Sequence, residues 1–270
     1  MNITPMGGST PLPKTVAAPA AETSAEPQEQ VQVGQQPTRE DAIALLQQMA
    51  QARNELGAKF IGEVLEPAPP EFQAVSQATM GMREAIAQQM AEQTGAPADP
   101  FFLLANETSL LSQAAVNTEK RADFRSEQGQ TPNRESLLNE ELGYLIETGI
   151  YNELINQGAI DAQAIQQAVH QLDPQGEALL TAGTLLAEIR KHAAPELAQQ
   201  VSQAAAQNPL MQAFGGNPEL RQKFAGALDQ NFQAAQQVAQ GCLGYFTLMG
   251  QIAANEMNAI NFLNANPPQA

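Results

Sequence analysis

Apolar residues along this chain recur at steps of three and four, the spacing of one helix face, and show no sustained alternation in steps of two. Thr38 before Arg39, Glu40 and Asp41 sets a capping residue ahead of an acidic first turn and predicts a helix start. The stripe Ala42, Leu45, Met49, Ala52, Leu56, Phe60 and Val64 then gives one apolar face, which stops at Glu66 before Pro67, Pro69 and Pro70. A second helix enters through Pro70 and Glu71, carries Phe72, Val75, Thr79, Met82, Ile86 and Met90, and ends at Gly95 before Pro97. The short connection predicts that these two helices form an antiparallel hairpin.

Asp99-Pro100 is a cap followed by a first-turn proline, and Phe101 to Leu104 form an apolar cluster, read as a plug against the first hairpin. A helix from about Glu107 carries Leu110, Leu111, Ala114 and Ala115, then becomes charged through Glu119, Lys120, Arg121, Asp123 and Arg125. That end is expected to be solvated. Gly129 and Pro132, within Glu127 to Asn133, mark the expected subdomain boundary.

From Arg134 the pattern divides into short helices at Gly149, Gly158, Asp173-Pro174 and Ala194-Pro195, with Asp161 as an N-cap. Leu138, Leu142, Leu145 and Ile146 form the first face, and Ile150, Tyr151, Leu154 and Ile155 the next. Ile165, Val169 and Leu172 follow, then Leu179, Leu180, Leu185, Leu186 and Ile189. Asn208-Pro209 opens a further helix that breaks at Gly215-Gly216. Asn217-Pro218 then starts a stripe from Leu220 to Leu263 that is interrupted once, at Glu256. A single helix of that length would extend about 70 Å, more than twice the width of a small domain, so it breaks or projects. Gly226, Gly241 and Gly244 are the candidate break points.

The fold class read from this pattern is all-α: an N-terminal helical hairpin region over 38–128 and a C-terminal multi-helix bundle over 134–270 with a long terminal helix. Residues 1–37 are rich in Pro, Ala, Thr, Ser, Glu and Gln, with few large apolar groups, and are expected to form a disordered tail. MNITPMGGSTPLPK lacks the charged and apolar regions of a secretory leader, which disfavours a cleaved signal. No repeat of constant period is present, so a solenoid is not supported.

Composition sharpens the helical reading. Apolar residues are 43% of the chain but aromatics only 5%, and Trp is absent. The core must therefore be Ala, Leu, Met and Ile between closely spaced helices. Net charge is −16, which repels phosphate backbones and anionic membranes and argues against nucleic acid as a partner. The charge is uneven: residues 38–193 hold 22 acids and 10 bases, residues 194–270 only 4 acids and 2 bases. Gln230 to Asn255 carries no charge, yet eight Gln and Asn residues and a short apolar part, Gly241 to Ala254, argue against a membrane span.

Catalytic chemistry is sparse. His170 and His192 are the only histidines, Cys242 the only cysteine, and no metal, phosphate-loop or nucleophile-elbow motif is present. No cofactor is expected. Glu135, Glu140, Glu141, Glu147 and Glu153, without a basic partner in the pattern, read as a solvated helix face. Met80, Met82 and Met90 have the spacing of ordinary core rather than of an adaptable groove.

The most informative stretch is Gly241 to Gly250. Gly241, Gly244 and Gly250 alternate with Cys242, Tyr245, Phe246 and Met249, a pattern that admits close approach by another helix, and the segment is apolar nearly all round, so it should be buried. These seven residues are the expected packing or partner interface. The resulting expectation is a non-enzymatic interaction or structural protein whose partner is another protein or a second copy. A tail followed by Ala- and Gln-rich helices resembles, in composition alone, bacterial secretion-system substrates and phage virion or scaffold components. A secreted membrane-active protein using Gly241 to Ala254, and an enzyme of unfamiliar type built around His170 and Glu147, are the alternatives.

Overall fold

The computed structural model describes residues 37–94, 99–172, 182–230 and 232–268. All but one residue of the expected tail, the stops at Gly95 and Asp173-Pro174, and Leu179 and Leu180 lie outside the described residues. Arg39–Ala270 forms one compact unit. Its elements are helical: α1 (Arg39–Phe60), a π-helical turn (Ile61–Leu65), α2 (Pro70–Thr94), α3 (Pro100–Glu127), α4 (Arg134–Asn156), α5 (Ala162–Leu172), α6 (Ala182–Lys191), α7 (Pro195–Ala206), α8 (Pro209–Gly216), α9 (Pro218–Gln230) and α10 (Phe232–Ala265). The all-α class read from the sequence stands.

The helix starts follow local chemistry. Asp99 Oδ1 accepts from the amides of Phe101 (3.0 Å) and Phe102 (3.2 Å), so α3 begins at Pro100 and takes in the Phe101–Leu104 cluster, seven residues before the pattern placed it. Asn133, Asp161, Asn208 and Asn217 cap α4, α5, α8 and α9 in the same way. Proline holds the first position of α7, α8 and α9, where no backbone donor is needed. Gly129 and Gly158 end their helices at φ of 73° and 75°, the left-handed conformation that glycine adopts without strain.

Packing departs from the expected hairpin. The principal partner of α1 is α10, whereas α2 packs on α3, α8 and α9. The prolines at 67, 69 and 70 turn the chain, but the two helices separate to different neighbours. α10 lies chiefly on α1 and α3, elements of the N-terminal region, so it is not the axis of a C-terminal bundle. α1 and α10 run antiparallel: Arg39 donates to the carbonyls of Leu263 (3.2 Å) and Asn266 (2.7 Å), Arg53 to Glu256, and Phe60 stacks on Tyr245. Gly226 lies inside α9 and Gly241 and Gly244 inside α10, so the stripe from Leu220 does not break at any of the three; Asn231, between the two helices, lies outside the described residues.

α3 and α4 carry the core. Leu104, Ala105, Leu111, Ala114 and Ala115 of α3 meet Leu138 and Leu142 of α4, Phe72 and Val75 of α2, Phe214 and Phe224, and Tyr245 and Met249 of α10 in one cluster. The alanines let the helix axes approach, as the low aromatic content required. A second cluster joins Tyr151, Ile160, Ile165, Leu186, Ile189 and Val201, with Ile150 of α4 packing against both.

Candidate interaction surface on the terminal helix

α10 holds 34 residues and one charged group, Glu256. Its inward stripe is Ala235, Val238, Cys242, Tyr245, Met249 and Ala259, all buried. Glu256 interrupts this stripe in the sequence because it is met from across the interface. Arg53 of α1 donates to it and also lies 3.2 Å from Asp99, the cap of α3. One guanidinium therefore ties α1, α3 and α10 together.

The seven residues expected to form an interface fall on different sides. Gly241 does provide close approach: a Cβ there would sit 2.7 Å and 2.9 Å from the two methyl carbons of Val64 in the π-helical turn. That turn closes with the Glu66 amide donating to the Ile61 carbonyl at 2.8 Å, five residues back, which is the bond that defines it. Cys242, Tyr245 and Met249 face the core. Phe246 is half-buried at the edge, 5.6 Å from Tyr245 and 5.7 Å from Phe102 between ring centroids. Gly244 and Gly250 are exposed, and a Cβ at either would meet nothing within 4 Å.

The segment is thus buried on one side only. Outside its core stripe α10 exposes Leu243 (68% exposed) and Met257 (57%) on one side, Leu248 (44%) on the flank towards α1 and Ile260 (42%) on the other flank, none of which the pattern singled out as surface. Thr247, Ala254 and Asn261 are exposed beside them. Leu243, Thr247, Gly250, Ala254, Met257 and Asn261 step by four and three, a heptad row opposite the core stripe. That second periodicity was present in the sequence but masked by the stronger inner one. Gly244 and Leu248 also line a groove of about 230 Å³ against Leu56, Lys59, Glu63 and Val64.

Ionisable groups here are held inert. Burial pushes the Cys242 thiol up to about 12, a shift that a hydrogen bond with Ser112 only partly offsets. Burial likewise pushes the Tyr245 phenol up to about 12; the Asp99 charge adds to this and Arg53 opposes it. The phenol oxygen is buried with no hydrogen-bond partner among the described residues.

Elsewhere the polar residues knit helices together. Four of the five acidic residues of α4 are not on a solvated face: Glu135 pairs with Arg221 of α9 (2.7 Å), Glu140 and Glu141 with Arg121 of α3 (2.9 and 2.6 Å), and Glu147 with Arg190 of α6, while Glu153 is exposed as expected. Nor is the charged end of α3 simply solvated, because Arg134 Nε bridges both oxygens of buried Glu119 at 2.9 and 3.0 Å. The basic partners sit 15 to 86 residues away in sequence, which no helical spacing reveals. Met80 and Met90 are exposed rather than core, since no described side chain of α2 beyond Thr79 is buried.

His170 is exposed on α5, while Glu147 is taken up by Arg190. His192 Nε2 lies 3.7 Å from Glu188 one turn earlier. Among the described residues no three His, Cys, Asp or Glu side chains gather to hold a metal ion. Among the described residues no helix is long and apolar enough to cross a membrane. No protein-family model, curated protein or solved structure matches the chain.

Proposed function

We infer that this chain is a non-enzymatic helical protein that works by helix–helix contact, with the outward side of α10 as its contact surface. The observation that supports this is the exposure of Leu243, Leu248, Met257 and Ile260 on a helix whose single charge is turned inward to Arg53. Leu243 and Met257 share one side of the helix, with Leu248 and Ile260 on its two flanks, so exposed apolar side chains run round the part of α10 that α1 and α3 leave open. Incorporation into a secreted or virion assembly is the setting that the compositional resemblance favours.

Native-cell pull-down combined with light scattering of the purified chain tests the reading. The expected result is self-association or a stoichiometric partner, lost when Leu243 and Met257 are both changed to Glu. A strict monomer that retains no partner overturns it. So does flotation of the chain with liposomes through Gly241 to Ala254, which would favour membrane contact instead.

A further inference from the structure

α2 is buried over its first ten residues and half-exposed beyond them. Phe72, Val75 and Thr79 are buried, and Phe72 lies 5.0 Å from Phe224 of α9 between ring centroids. From Gly81 onward no described side chain of the helix is buried: Met82, Arg83, Ile86 and Ala87 are half-buried, and Met90 is exposed. We propose that α2 from Gly81 to Glu92 is an acid-released arm, latched to α3 by the carboxylate of Glu107. This device is independent of the α10 surface.

The latch is a cluster at the root of the arm. Glu107 Oε2 accepts from the Thr79 hydroxyl at 2.9 Å and from the Arg83 guanidinium. Arg83 also donates to the Thr79 hydroxyl (3.3 Å) and the Ser76 carbonyl (3.2 Å), so its head closes the seam between the arm, the anchored part of α2 and α3. The two charged side chains are 13% and 12% exposed. Among the described residues no other ion pair joins α2 to another helix.

The walls around the carboxyl do not belong to the arm. Phe72, Val75, Leu111 and Leu210 line a cavity with Glu107, and they lie on the anchored part of α2, on α3 and on α8. When the arm lifts, these walls stay and Arg83 leaves. An ionised carboxylate is then buried without its counter-charge, which costs far more than a buried neutral acid. Opening therefore takes up a proton. The cavity, about 10 Å³, has room for about one water, which lets a proton reach Glu107 while the helices stay packed.

No second charge complicates the latch. Arg83 is the charge that acts on Glu107 among the described residues. Glu84 and Glu92 of the arm are exposed, and Glu71 lines a separate cavity against α9. α8 holds no charged residue. On α9, Glu219 pairs with Lys223 and Arg221 with Glu135. On α3 the nearest charged residues, Asp99 and Glu119, lie two and three turns away.

The sign follows from what each opening does to the carboxyl. Burial already pushes it above its ordinary 4.5, although Arg83 and Thr79 pull it down. Without Arg83 it rises further, so release of the arm is favoured as pH falls through the open form's value and the gain is complete below the closed form's. Complete unfolding has the opposite sign, because it hydrates the carboxyl. One group thus steadies the whole fold in acid while freeing one arm of it.

Hydrogen exchange of the full chain, with the intrinsic rate divided out at each pH, reads the arm through the amides of residues 84–92. Their protection should fall about tenfold from pH 7 to pH 4, the factor by which a charge-assisted bond exceeds a neutral one, while the amides of Val75 to Thr79 keep theirs. Glu107→Gln, uncharged at every pH, should hold the arm at the low acid level throughout. Arg83→Gln should lose the arm's protection at pH 7, and Glu84→Gln should behave as the parent. Circular dichroism melts confirm that each variant folds. Arm protection that is constant with pH, or higher at pH 4, overturns the proposal. A fall shared by Val75 to Thr79 also overturns it, because α2 then melts as a whole.

Discussion

Gly241 lies against Val64 so closely that a Cβ on the glycine would come within 2.7 Å of a valine methyl carbon, whereas Gly244, one turn on, faces open space. The two glycines make opposite demands. Gly241→Ala gains about 1 kcal/mol of helix propensity but forces stiff Val64 aside, at about 1–3 kcal/mol, for a net loss. Gly244→Ala keeps the gain alone. Urea unfolding should show the first variant less stable than the parent and the second more stable; equal shifts would place the π-helical turn away from α10.

Glu141 is 1% exposed and accepts from Arg121 at 2.6 Å and Asn117 at 3.2 Å. Glu141→Ala leaves the Arg121 guanidinium with the more exposed Glu140 and the face of the Tyr144 ring, 6.0 Å away. The expected loss is about 2 kcal/mol, below that of a fully buried pair because Arg121 keeps those partners and some water. Glu141→Gln should lose less, since its amide oxygen still accepts. A change under about 0.5 kcal/mol in Glu141→Ala, the level of an ordinary surface substitution, would rule out a structural role.

Burial pushes the Glu107 carboxyl above its ordinary 4.5, against the charge of Arg83 and hydrogen bonds from Thr79 and Arg83. A folded state that holds its proton to higher pH than the unfolded chain gains stability below 4.5 and loses it as pH rises through the raised value. Glu107→Gln mimics the protonated group and should escape that loss. Its stability relative to the parent should increase between pH 4 and pH 7, measured by urea unfolding at each pH. The opposite trend would mean that the Arg83 pair outweighs burial.

The Cys242 thiol, raised from 9.0 to about 12 and fully buried, is protonated and screened at neutral pH. A thiol-specific disulfide reagent at pH 8 should react at the rate at which the native chain opens, and at once in denaturant. Because the folded thiol ionises at higher pH than the unfolded one, its contribution to stability is complete below 9.0 and is lost as pH rises towards 12. Rapid native labelling would show α10 lifting from α3.

Where helices begin was legible because the signal is local. Asp161, Asn208 and Asn217 each cap through their own side chain within three residues, and so does Asp99, although the pattern began that helix only at Glu107; Asn133 also caps, but in the sequence it reads only as the end of a boundary segment. Which helices pack together was not legible, since the pattern of α1 and α2 names an apolar face but not the element that fills it. Arg221 and Glu135 illustrate the same limit: nothing near residue 135 announces a guanidinium from residue 221. The Gly241–Gly250 segment was legible as a place of close helix approach at Gly241. Its exposed half was not, because Leu243 and Leu248 look as apolar as Tyr245 and Met249 until a neighbour covers only one side.

Arg39 holding the carbonyls of Leu263 and Asn266 brings the first helical residue of the body to its last helix turn. A force applied through the two chain ends therefore enters at a single point, between antiparallel α1 and α10. Such a pull peels one helix from the other contact by contact, with Arg39 first, the Arg53–Glu256 pair next and the Phe60–Tyr245 stack after it. A body so arranged would open first along the seam between α1 and α10, with the contacts of α10 on α3 yielding later.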